Sequence, residues 1–247
     1  RIKLVSNLQS LSSLSSFLLL PSAAPLVTAL LHDTGCLRSP DFDLAPDVAR
    51  PFLEARRGEQ LAALFTAWRD SRTWNDLDHL PGLAREGTVR AGLPRPDVAR
   101  AAVLSFIRDV PPETWWALDS FVAAIKERQP DFQRPAGDYD SWYLRDEQTG
   151  EFLRGFANWE RVDGALIRWM IHSPLHWLGV VDLAADGAAF RVTRWGSDLL
   201  AGKTPEIAEP PGHLRVHSDG RVSADRSLSR YSRFQAARFC EWEGRDD

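Results

Sequence analysis

Apolar positions along this chain recur mostly at three- and four-residue spacing, the period of helices that bury one face. Leu8, Leu11, Leu14 and Leu18 predict an amphipathic opening helix broken by Pro21 and Pro25. The same stretch has the basic start, Leu-rich middle and Ser-Ala-Ala of a secretory signal, but serines interrupt its apolar core and favour the helix. Leu26 to His32 predicts a short second helix closed by Gly35. Residues 36–46 read as extended, with Leu37, Phe42 and Leu44 inward, and a helix from Asp47 to Arg56 follows Pro46. Leu61, Leu64, Phe65 and Trp68 predict a helix over 59–71. After a turn-rich stretch, a helix over 96–108 is expected to bury Val98, Ala101, Ala102 and Phe106. Pro111-Pro112 marks a break. The next helix is expected to start near Glu113 and to carry Trp116, Leu118, Phe121, Val122 and Ile125 as far as Pro130.

Residues 130–150 are polar and read as a functional insertion or a pair of short strands, pinned by Trp142 and Tyr143. Val162, Ala165, Leu166, Trp169 and Met170 trace a helix over 159–171 that Pro174 should end, with Arg161 and Arg168 together on its flank. A strand over 177–183, an Ala-Asp-Gly turn at 185–187 and a strand over 189–193 predict a hairpin. A short helix over 195–200, a linker over 201–212, a second hairpin around 214–222 and a terminal helix over 228–242 complete the chain. These elements predict an α+β, mostly helical fold of tandem winged-helix-like units with short β-hairpin wings. The units would be a partial one at 1–57, a helical, winged-helix domain at 58–205 and the start of an incomplete one at 206–247.

Four segments carry a resemblance: Pro130–Tyr143 (PDFQRPAGDYDSWY), Gly150–Phe156 (GEFLRGF), Trp159–Ile171 (WERVDGALIRWMI) and Pro174–Leu183 (PLHWLGVVDL). Together they resemble bacterial helicase-associated domain proteins, whose C-terminal part is similar to the N-terminal domain of XPB-type helicases. The likeness covers residues 58–200 and, less closely, 214–242. It implies winged-helix architecture and a link to DNA transactions, and it ties the chain to no reaction. A helicase motor is not expected, because no GxxxxGK followed by Ser or Thr occurs.

Composition narrows the chemistry. The 247 residues include 34 acidic and 30 basic ones, a formal charge of −4, and the ten Trp and twelve Phe exclude a mainly disordered chain. Cys36 and Cys240 cannot form a disulfide scaffold or a four-thiolate zinc site, and both read as small buried hydrophobes. No run approaches the ~18 apolar residues that span a bilayer, so a cytoplasmic protein without membrane contact is expected. His172 and His176 have a zinc-like spacing, but there is no HExxH and no third ligand in view. Asp138, Asp140, Asp146 and Glu147 read as solvated turn carboxylates before they read as a cation site. No GxSxG and no Cys beside a His occurs, so a non-enzymatic protein with no cofactor and no metal is expected.

Arginine outnumbers lysine 27 to three, as codon usage in a GC-rich genome or phosphate recognition would produce. Arg154, Arg161 and Arg168 recur every seven residues, and Arg191 and Arg194 follow the first hairpin turn. These five are the candidate nucleic-acid contacts, with Arg161 and Arg168 as phosphate clamps on a duplex. Against them, the wing tip Ala184-Ala185-Asp186-Gly187 carries no positive charge, and Glu160 and Asp163 share the helix. An adaptor that binds a helicase or another protein, without touching DNA, stays open beside the DNA reading. Trp68, Trp116, Trp169 and Trp177 are expected in the core, while Trp74, Trp142 and Trp159 lie in or near loops where stacking is also conceivable.

Overall fold

A computed structural model describes residues 23–38, 43–85, 95–134, 137–209, 211–225 and 227–241. The opening helix or signal and Phe42 lie outside these residues. The described chain is α+β, with helices and small antiparallel sheets.

The N-terminal elements follow their sequence cues. Helix α1 (Ala24–Asp33) ends at Thr34, and Gly35 takes a φ of +77°, the left-handed conformation glycine adopts without strain. Leu37 and Leu44 form a single bridge; Leu37 is buried, whereas Leu44 is half exposed. Helices α2 (Pro46–Glu54) and α4 (Pro96–Arg108) both place proline in the first turn, where no N–H is needed. Helix α3 (Arg57–Asp70) lies between them, followed by a 3-10 turn (Asp76–His79) and strand β1 (Leu83–Arg85).

Helix α4 turns a different face inward from the one expected. Ala99, Val103, Leu104 and Ile107 are buried, whereas Val98 and Ala101 face outward and Ala102 and Phe106 are half-buried. The reason is Arg100, whose fully buried guanidinium rotates the inward face by about one residue. Trp116 belongs to strand β2 (Trp116–Ala117) and is exposed, not a core member of helix α5 (Leu118–Arg128). After the two prolines the chain turns at Glu113 (φ +59°), whose N–H donates to the Val192 carbonyl (2.9 Å), and then runs into β2 instead of starting a helix.

Strand β3 (Leu144–Asp146) pairs with β1, so the 130–150 segment contributes one strand to a sheet with residues 83–85 and does not form a strand pair of its own. Trp142 is buried there, while Tyr143 is exposed with a φ of +50°. A continuous helical stretch follows: π-helical Glu160–Gly164, α6 (Ala165–Met170) and π-helical Ile171–Leu175. Pro174 does not end it. The wide π turn accommodates a residue without an N–H, and the helix runs on to Trp177. Strands β4 (Val181–Leu183) and β5 (Ala189–Val192) form the expected hairpin, with Gly187 at φ +72° in its turn. The sheet order is β2-β5-β4, all antiparallel. Helix α7 (Arg194–Leu200) is capped by Thr193, whose Oγ1 accepts from the Gly196 N–H (2.8 Å). The second hairpin, β6 (Leu214–Val216) and β7 (Val222–Ala224), and helix α8 (Arg230–Ala237) close the description.

One apolar cluster runs from Leu26 and Leu30 of α1 through Trp68, Leu104, Val122, Trp159, Ile167 and Phe190 to Leu200. Helix α1 therefore shares its core with the segment that begins at residue 58. Cys36 is buried, but Cys240 is exposed, contrary to expectation.

Candidate functional site

Two buried ion pairs organise the body. Arg100 is fully buried: its Nε bonds Asp76 Oδ2 (2.5 Å), and its remaining donors bond the carbonyls of Trp68, Ser71 (both 2.7 Å) and Trp74. The indole N–H groups of Trp68 and Trp74 both donate to Asp76 Oδ1 at 3.1 Å. Burial pushes the Asp76 carboxyl upward while Arg100 and these donors oppose it. The second pair joins Asp163, in the first π turn, to Arg134 (3.0 and 3.1 Å) and to Gln133 (2.7 Å). The Arg134 guanidinium also stacks on Trp142, 3.9 Å from the ring centroid. This pair clamps the 130–142 segment onto the helix. The chemistry-bearing histidines and turn carboxylates have local structural duties. His172 Nε2 meets the Gly187 carbonyl (2.9 Å), His176 Nδ1 the Val181 carbonyl (3.2 Å), and Asp138 accepts from Ser141. Among the described residues no group of His, Cys, Asp or Glu is placed to hold a metal ion, and no helix is long and apolar enough to cross a membrane.

The five candidate arginines do not form one basic stripe. Arg161 is bonded to Asp146, which Thr149 and Gln148 backbone N–H groups also hold, keeping that carboxyl below its ordinary range. Arg168 pairs with Asp119 (3.0 Å) and with Glu160 (3.2 Å). Arg161 thus reaches toward β3 and Arg168 toward α5, so the two do not act together on one flank. The intervening π turn, wider than an α turn, changes the phase that a seven-residue spacing would give. Arg191 pairs with Asp182 on the neighbouring strand (2.9 Å). Arg154 packs over Phe152 and Tyr143, and Arg194 is exposed; neither has an ion-pair partner among the described residues. Within the helical stretch itself only Glu160 and Arg161 are exposed, because the insertion, α5 and the 3-10 turn cover the rest.

The three tryptophans expected near loops, Trp74, Trp142 and Trp159, are all buried. Exposed indoles occur elsewhere: Trp115 (48%), Trp116 (38%) and Trp195 (41%). Trp115 precedes β2 and lies under the Arg191 guanidinium, 5.0 Å from its ring centroid. Trp195 follows Arg194 in the first turn of α7 and packs beside Gly179. Hydrogen bonds from Glu113 to Val192 and from Thr193 to Val180 (3.0 Å) tie these segments to the Val192 end of the β2-β5-β4 sheet. Close packing fixes α7 there, since a β-carbon on Gly196 would overlap the Val180 carbonyl. The charges around this end are mixed, with Glu113, Asp182 and Asp198 among Arg191 and Arg194. A run of Trp would have flagged Trp115 and Trp116 in the sequence, but only the strand pairing shows why they stay outside. No family model matches this chain, and neither a curated protein nor a solved structure matches it.

Proposed function

We propose that this chain is a non-enzymatic interaction module of the helicase-associated type that binds a protein partner through the tryptophan-bearing end of its β2-β5-β4 sheet. One observation carries the reading. The helical stretch that would read DNA is covered and its arginines are tied to Asp146, Asp119 and Glu160, while Trp115 and Trp195 are exposed near the Val192 end of the sheet among charges of both signs. Exposed indoles are costly without a partner, and aromatic groups are enriched where partners bind. A winged-helix architecture is supported by the order α4, β2, α5, helical stretch, β4, β5, with β5 central and the 129–158 insertion before the third helix. The α1–α2 segment and the β6-β7 hairpin with α8 are the pieces from which tandem units would be built.

Arg194, which has no ion-pair partner among the described residues, and the Arg191–Trp115 stack favour a second reading, in which the same surface touches a nucleic-acid strand by stacking and phosphate contact. Co-purification from the source cell tests the first reading. The partner should be lost from a Trp195→Ala, Arg194→Glu variant and kept by an Arg161→Ala, Arg168→Ala variant. Salt-sensitive binding to a duplex that the second variant abolishes would instead establish the helix as a DNA reader.

A further inference from the structure

The β2-β5-β4 sheet has two outer edges, and they meet different surroundings. At β4, Thr193 donates to the Val180 carbonyl, so alternation turns the carbonyl of Val181 away from β5. His176 Nδ1 meets that carbonyl at 3.2 Å, and Val181 is buried beside the second π turn. The β2 edge has no such cover. Every residue from Pro111 to Ala117 is exposed. Trp116 pairs with Phe190, and the Leu118 N–H donates to the Ala188 carbonyl (2.9 Å), so the N–H of Ala117 points away from β5. Neither that N–H nor the N–H and C=O of Trp115 has a hydrogen-bond partner among the described residues. These open groups are two residues apart, the interval at which one side of an extended backbone repeats. Side chains flank the edge on both faces: Trp116 shares a face with Phe190, and Trp115 lies on the other, under Arg191. The segment from Pro111 to Ser120 carries only negative charge, Glu113 and Asp119. Glu113 has no ion pair among the described residues, and Asp119 stays 89% exposed because Arg168 bonds only its Oδ1. Arg191 is engaged by Asp182.

We propose that β2 takes a short, basic, extended segment of a partner protein as a fourth strand of this sheet, an inference that rests on the protein-binding reading above. The N–H and C=O of Trp115 and the N–H of Ala117 pair with the backbone of the added strand. Its alternate side chains lie against Trp116 on one face and Trp115 on the other, and its Lys or Arg residues meet Glu113 and Asp119. Pro111-Pro112 and helix α5 bound the edge, so the added strand is short.

Random heptapeptides displayed on phage, selected on the purified chain and titrated against it by calorimetry, test the edge. Peptides rich in Lys or Arg are expected. Ala117→Pro should weaken them about tenfold or more, while Ala117→Ser, which keeps the N–H, should leave binding unchanged. Proline suits this position, because Ala117 has a φ of −66° and its N–H bonds nothing in the chain, so near-ultraviolet dichroism should stay unaltered. Glu113→Lys should weaken binding about fivefold. A second readout leaves the chain untouched: N-methylating alternate amides of the peptide should abolish binding, and N-methylating the amides between them should not. Peptides that bind the Ala117→Pro variant and the unaltered chain equally would overturn the proposal, as would indifference to N-methylation at every amide or a selection that recovers no binder. Co-purification separates this failure from that of the underlying reading. A partner kept by Ala117→Pro but lost from the Trp195→Ala, Arg194→Glu variant would overturn strand addition and leave protein binding standing. No partner on the unaltered chain would strike the reading itself, while the peptide titration decides strand addition on its own.

Discussion

The pentapeptide Pro-Asp-Val-Ala-Arg starts two helices in this chain, at Pro46–Arg50 and at Pro96–Arg100, and its two arginines meet opposite environments. Arg50 is two-thirds exposed and pairs with Glu54 one turn on (2.9 Å), with the Tyr231 ring 5.6 Å away. Arg100 has no exposed surface and holds Asp76 together with three carbonyls, one in the last turn of α3 and two in the chain between α3 and the 3-10 turn. The local sequence is the same; the difference lies in what packs against it. The same lesson applies to the candidate contacts. Arg161 and Arg168 lie on a helix but are occupied by carboxylates from other elements, whereas Arg194, at the sheet end, is exposed with no such partner among the described residues.

Each environment sets an expected response to substitution. Arg100→Met leaves Asp76 buried and unpaired, and should cost about 3–5 kcal/mol of stability in urea unfolding, the range for breaking a buried pair. A cost below that of a surface pair would mean that water reaches the site. Arg134→Met strands Asp163 and removes the stack on Trp142, so about 3 kcal/mol is expected. Its effect should also appear as faster amide exchange over residues 137–155, because this pair fastens that segment to the helix. Gly196→Ala should cost about 1–3 kcal/mol by overpacking α7 against Val180, with near-ultraviolet dichroism reporting the disturbed Trp195. Arg161→Ala and Arg168→Ala should each fall within about 1 kcal/mol, as exposed pairs do. The Asp146 carboxyl is held below its ordinary 3.8. Its contribution is therefore complete above that value and disappears as pH falls through the depressed one, which carboxyl chemical shifts can follow. Arg50→Met, at the far end of the comparison, should change stability by no more than about 0.5 kcal/mol.

Elements set by local patterning were legible in the sequence. The helix over 96–108, the β4-β5 hairpin with its Asp-Gly turn and the short helix that follows all appear where period, proline and glycine place them. Features fixed by distant partners were not legible. Arg100 depends on Asp76, 24 residues away, and without that pair an arginine reads as solvent-facing, which misplaced the inward face of α4. Asp163 counted as an argument against a DNA-reading helix, yet its role is to receive Arg134 across 29 residues. Trp116 followed the helical spacing of Leu118 and Phe121, but the ladder to Phe190 holds it in a strand. The π turn around Pro174 has no signal in apolar spacing. Among the candidate site residues, Arg191 and Arg194 were named from the sequence, while the approach of Trp115 to Arg191 came only from the pairing of the segments.

Photo-crosslinking in the source cell separates the two surfaces most directly, with a photoreactive residue replacing Trp195 in one chain and Arg161 in another. Protein adducts from position 195, with none from position 161, are the result expected if the sheet end is the contact surface. Adducts to DNA from position 161, with none from position 195, would contradict it and return the binding role to the helix.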